Sequence, residues 1–219
     1  MKGIELPRIN KSIEKLLLKS QILVNNFVGN ALIQNKMSTF NITLEKVNSF
    51  QSDVNTARDV YYRQIGKYSE RSVASNEFKQ QWRNARKVHF NDIKLSRSAL
   101  RQFPNDAELL GLNDAREKNL SEWLGQSRRF YETAQEHPGM IEKLAAYGLD
   151  QARLTAGLQE INNTEAAYAK YQDFRGASQQ ATQDRDQLVE AIARERQKIL
   201  TVAEVALQDK PELLEQLGH

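Results

Sequence analysis

Apolar residues recur at threes and fours along most of this chain, the period of an amphipathic helix, and nowhere alternate as a strand requires. After an extended lead over residues 1–8 containing Pro7, Asn10 is placed to cap a first helix running to about residue 34. Its apolar set is Ile13, Leu16, Leu17, Ile22, Leu23, Phe27, Leu32 and Ile33, too broad a face for a solvated arm. A breaker zone at 36–41 follows. A second helix is expected from 43 to 67 or beyond on the spacing of Leu44, Val47, Phe50, Val54, Ala57, Tyr61, Ile65 and Tyr68. Residues 71–75 read as a tight turn. A third helix then spans 76–103 with Phe78, Trp82, Ala85, His89, Ala99 and Phe103 on one stripe. A fourth covers 114–137, with Leu120, Trp123, Leu124, Ser127, Phe130, Tyr131 and Ala134 inward. A fifth begins at 151, where Asn162-Asn163-Thr164 reads either as a turn or as a polar stretch within a helix, and the last long helix ends near 208. The pattern predicts an all-α chain, an elongated up-down bundle of long antiparallel helices.

Three segments punctuate it. Each runs from a proline through one or two apolar turns to a glycine: Pro104 to Gly111, Pro138 to Gly148, and Pro211 to Gly218. Proline lacks an N–H and clashes with the preceding turn, so a long helix should stop before it, and its fixed φ suits the first turn of a new one. Glycine enters the left-handed region and ends the short helix. Asn113 and Asp150 are then expected to cap the next helices. These are short helical corners between rods. A longer resemblance, Leu44-Glu45-Lys46-Val47 to Ile141-Glu142-Lys143-Leu144 and Glu77-Phe78 to Asp173-Phe174, has a spacing of about 97 residues that grows toward the end, as a duplicated helical hairpin would give.

At 219 residues the chain is expected to form a single helical-bundle domain, with 1–36 as an N-terminal helix packed on a main bundle of 37–219. Lys and Arg alternate with Asp and Glu, so the net charge of +3 implies no polyanion partner by itself. The absence of cysteine excludes disulfides and thiolate metal sites. No apolar run reaches the ~20 residues that span a bilayer, and no signal-peptide h-region follows Lys2. A cytoplasmic protein is the simplest expectation.

Reaction signatures are missing. His89, His137 and His219 are isolated, and the Glu-x-x-His pairs of a di-iron bundle are absent. No phosphate-binding glycine loop or serine nucleophile elbow occurs. The chain is therefore read as non-enzymatic, with no cofactor and no metal. The 34 residues between Pro104 and Pro138 match a tetratricopeptide period that does not continue. The corners share the outline of a DNA-reading helix-turn-helix, with Arg116, Lys118 or Arg153 early on the second helix, but the charge around them is mixed. His89, Asp92 and Ser96 continue the stripe of Trp82 and Ala85, Arg185 continues that of Ala181 and Leu188, and buried polar groups need partners, for which Arg86 is a candidate. They form either a polar layer, with an arginine meeting Asp92 or Asp186, or a ligand pocket. Trp82, Phe90, Trp123, Phe130 and Tyr131 could line such a pocket, though such a stripe is more often core.

Tyr147-Gly148-Leu149, Gln179-Gln180-Ala181-Thr182-Gln183 with Arg185-Asp186, Ala206-Leu207, Pro211 and Leu213-Leu214 through Leu217-Gly218 resemble a group of uncharacterised bacterial all-helical proteins, over roughly the last 140 residues. The resemblance implies a bacterial helical protein and carries over no activity. The expected function is protein–protein interaction or self-association through an exposed helix face. The alternatives are nucleic-acid binding through Arg83, Arg86, Lys87, Lys94, Arg97, Arg128 and Arg129, and a small-ligand pocket in the core.

Overall fold

The computed structural model describes residues 9–218; the expected extended lead over 1–8 and the terminal His219 lie outside the described residues. These hold eight helices and no strand: α1 Lys11–Val28, α2 Ala31–Ser38, α3 Leu44–Ala99, α4 Pro104–Leu109, α5 Leu120–Glu136, α6 Pro138–Ala145, α7 Gln151–Ala206 and α8 Pro211–Gln216. The chain is an all-α helical bundle, as the periodicity predicts.

Several boundaries differ from the sequence reading. The first helix stops at Val28, where Gly29 and Asn30 intervene and the Asn30 side chain accepts from the amides of Leu32 and Ile33 to start α2. The two helices meet at 94°. No single helix among the described residues is long and apolar enough to cross a membrane. The turn expected at 71–75 does not exist: α3 runs unbroken for 56 residues. Nothing there forces a stop, since the segment has no proline or glycine and the competing hydrogen bonds of its serines are weak. Asn162-Asn163-Thr164 likewise stays helical, with the Thr164 hydroxyl bonded to the Glu160 carbonyl at 2.8 Å within α7, also 56 residues long.

The corners at Gly111 and Gly148 follow Schellman geometry. Gly111, Gly148 and Gly218 have φ of 64°, 77° and 76°. The Gly111 amide bonds the Glu108 carbonyl at 2.9 Å, and the Leu112 amide bonds that of Ala107 at 3.0 Å. Gly148 and Leu149 repeat both bonds to Ala145 and Leu144. A fourth corner lies at the end of the breaker zone expected over 36–41, and it has neither proline nor glycine. Asn41, at φ 63°, bonds Ser38, and Ile42 bonds Met37. Asparagine tolerates this region better than other non-glycine residues. Asp150 caps α7 through the Arg153 amide at 2.8 Å. Asn113 caps no helix. The fourth long helix begins only at Leu120, capped by Asn119, whose side chain accepts from Glu122 at 2.9 Å. The intervening segment is tied down instead by Gln126, which donates to the Ala115 carbonyl at 2.7 Å and accepts from the Glu117 amide at 3.2 Å.

The chain forms two compact units, one from residues 1–71 and 175–219, the other from 72–174. In the first, Leu23, Phe27, Ile33, Met37, Val54 and Tyr61 bury against Ile199, Ala203, Leu207 and Leu217. In the second, Ala85, Leu100, Trp123, Phe130, Tyr131, Leu144, Leu149 and Leu154 form the core. Within that unit α3 and α7 run antiparallel: Glu77 pairs with Lys170 at 2.9 Å, Gln81 with Glu160 at 2.8 Å, and Asp92 with Arg153 at 2.8 Å.

Element boundaries recur at a common shift. Ala31 opens α2 and Pro138 opens α6, 107 positions on, and both helices have 8 residues. Leu44 and Gln151, Ala99 and Ala206, and Pro104 and Pro211 keep the same separation. Buried positions follow it too: Ser20 with Ser127, Val47 with Leu154, Val54 with Ile161, Leu100 with Leu207. The spacing near 97 expected from Leu44 and Ile141 is a different register, since those residues lie at the start of α3 and inside α6.

Candidate functional site

The candidate site lies inside the second unit, between the last third of α3, α5 and the irregular segment that follows α4. Arg86, His89, Phe90, Ile93 and Arg97 recur along α3 at threes and fours, so one stretch of helix presents them together. Trp123, Gln126 and Phe130 do the same on α5, and Leu110 to Glu117 close the third side. They enclose a cavity of about 90 Å³. A neighbouring cleft shares Leu110, Asp114 and Gln126 with it and reaches Gly125 and Arg129.

His89 is 8% exposed, and its ring lies edge-on to Phe130 at 5.3 Å, Tyr131 at 5.7 Å and Trp123 at 6.2 Å. Its Nδ1 is buried with no hydrogen-bond partner. Burial, and next the nearby Arg116 guanidinium, lower its pKa to about 4, so the imidazole is neutral near pH 7. Two guanidiniums stand over the aromatic walls: Arg116 at 4.4 Å from the Phe90 ring centre and Arg86 at 5.6 Å from that of Trp82. Lys94 covers Phe90 as well, at 4.3 Å. Arg97 donates from Nε to the Leu112 carbonyl at 3.1 Å and so holds the corner after α4. Glu117 has its carboxyl pKa raised by its neighbour Glu122.

One turn along α3 from His89, Asp92 is fully buried and belongs to a different arrangement. Its Oδ2 accepts from the Tyr131 hydroxyl at 2.8 Å, and its Oδ1 from Arg153 Nε at 3.0 Å. Burial first, then the Asp92 charge, raise the Tyr131 pKa, keeping its proton on the phenol. The packing is close, since a Cβ on Gly157 of α7 would overlap the Tyr131 ring.

The polar residues singled out in the sequence therefore divide. Arg86 and His89 line the cavity. Asp92 pairs with Tyr131 and Arg153 rather than with an arginine of its own stripe. Arg185 lies in the first unit and pairs with Asp186 at 2.6 Å. Pro104, Pro138 and Pro211 begin corner helices, and Gly111 also lines the cavity. Of the aromatics expected around a pocket, Phe90, Trp123 and Phe130 are there. Arg116, Gln126 and Ile93 were missed as lining residues. Arg116 and Gln126 were hidden because 114–119 reads as helix in the sequence, and Ile93 carries no signal that separates it from core. Several basic side chains of the expected nucleic-acid face are engaged locally: Arg128 pairs with Glu165 at 2.7 Å, and Arg83 donates to the Lys79 carbonyl.

No family model matches the chain, and neither a curated protein nor a solved structure does.

Proposed function

We propose that this protein works by binding, and that its site is the cavity beside His89, which takes a small molecule with an apolar body. The observation that carries this reading is a space of about 90 Å³ whose lining joins aromatic and aliphatic side chains to a few polar and charged ones. Such a volume is that of roughly three waters or one small ring. The test is a titration of the isotope-labelled full chain with benzyl alcohol, following the indole N–H resonance of Trp123. A saturable shift, lost when the cavity is filled by substitution, supports the site. A shift that never saturates, or that survives filling, removes it.

A second reading keeps a protein partner or a second copy of the chain. Leu18 and Ile22 lie one turn apart on α1, 61% and 37% exposed, and support an apolar contact face there. Self-association in light scattering that Leu18→Lys and Ile22→Lys abolish would favour it; a monomer at every concentration, with no partner lost on the same substitutions, would remove it. The common shift of 107 positions in the helix boundaries supports a duplicated helical unit as the origin of both halves.

A further inference from the structure

The two halves, related by 107 positions, treat the same place differently. Arg196 of the first unit stands where His89 stands in the second, and its guanidinium donates to the Gly218 carbonyl at 2.8 Å, clasping the end of the α8 corner. In the second unit the corresponding corner is held from further along α3, by Arg97 on the Leu112 carbonyl. His89 is thus released from that task and is shorter than an arginine. A guanidinium bonded to the corner therefore stands in one unit at the position that a shorter ring lining the cavity takes in the other.

Two cations of the lining are also peculiar to the second unit. The positions equivalent to Arg116 and Arg86 are Ile9 and Ala193. Neither Arg116 nor Arg86 has a carboxylate partner among the described residues; each rests on a ring instead. Arg97 is committed to a backbone carbonyl. Against these three cations the lining contributes two acids, Asp114 and Glu117. The walls behind them are Phe90, Ile93, Trp123 and Phe130. An apolar floor under two uncommitted guanidiniums is complementary to an amphipathic anion, since an arginine fork matches a carboxylate better than any neutral group does.

We infer that the cavity takes a small monocarboxylate, its apolar body between Ile93, Trp123 and Phe130 and its anionic end held by Arg116 and Arg86. The inference rests on the cavity being a binding site, and the experiment separates the two. The full chain is titrated at constant ionic strength with benzoate, benzamide and benzylamine, which share a ring and differ in charge, while the indole signals of Trp82 and Trp123 are followed. Benzoate should bind about tenfold more tightly than benzamide, the worth of one charge-assisted hydrogen bond. Arg86→Gln with Arg116→Gln should bring benzoate down to the benzamide level and leave benzamide unchanged. His89→Arg, which rebuilds the first unit's arrangement, should abolish binding of all three without lowering the melting temperature. Ile93→Trp blocks the cavity independently should His89→Arg fail to fold. Equal affinity for benzoate and benzamide, or preference for benzylamine, overturns the anion assignment and leaves the site standing. No saturable binding by any of the three, or binding indifferent to both filling variants, overturns the site itself.

Discussion

Tyr131 donates its hydroxyl proton to Asp92 across 2.8 Å, in a place where Asp92 has no exposed surface. The phenol and Arg153 together satisfy both carboxylate oxygens. A buried charge that loses one such partner keeps its full desolvation cost. Tyr131→Phe is therefore expected to lower unfolding stability by about 1.5–3 kcal/mol, the range for a hydrogen bond to a charged group. Urea denaturation with an unchanged m-value checks it. A loss below about 0.5 kcal/mol would mean that water replaces the hydroxyl.

His89 makes stability depend on pH with a definite sign. Its pKa falls from 6.5 in the unfolded chain to about 4 in the fold, so on acidification the unfolded state takes up the proton first. The stability present above pH 6.5 is lost as pH drops through the window down to about 4. Between pH 7 and 4.5 the loss from this one group is about 2–3 kcal/mol. The wild type minus His89→Gln difference in urea midpoint across that window isolates it from the carboxylates and from His137 and His219. A flat difference would contradict the burial described for the ring.

Glycines of α3 and α7 should respond with opposite signs to the same change. Alanine in a helix interior gains roughly 0.5–1 kcal/mol over glycine. Gly66 and Gly176 have open space where a Cβ would go, so Gly66→Ala and Gly176→Ala should each raise stability by about that much. At Gly157 the Cβ collides with the Tyr131 ring, which Asp92 holds in place, and Gly157→Ala should instead cost about 1–3 kcal/mol. Thermal melts of the three variants decide it.

Helix content and the inner faces were legible because periodicity survives in single positions such as Val47, Phe50 and Val54, all buried as expected. The proline-to-glycine corners were legible for a similar local reason: one residue type removes a donor and another permits positive φ. What was not legible were continuity and interruption that no residue type enforces. Serine-rich 71–75 stays helical, whereas 113–119, free of glycine and proline, does not, because Gln126 holds it from α5. That interruption leaves Arg116 over Phe90, so this side of the candidate site depends on a contact eleven residues away in the sequence. His89 was singled out from its stripe and Arg86 as a candidate partner, but the stripe could not show that Asp92, three residues on, pairs with Arg153 instead.

The account turns on one difference between the two units: a cavity beside His89, at a position where the counterpart carries Arg196. Crystals of the full chain pressurised with xenon test this most directly, because xenon enters apolar cavities and leaves filled cores alone. The expected result is a xenon peak among Ile93, Trp123 and Phe130 and none beside Arg196. No peak in the second unit, or equal peaks at both places, would contradict it.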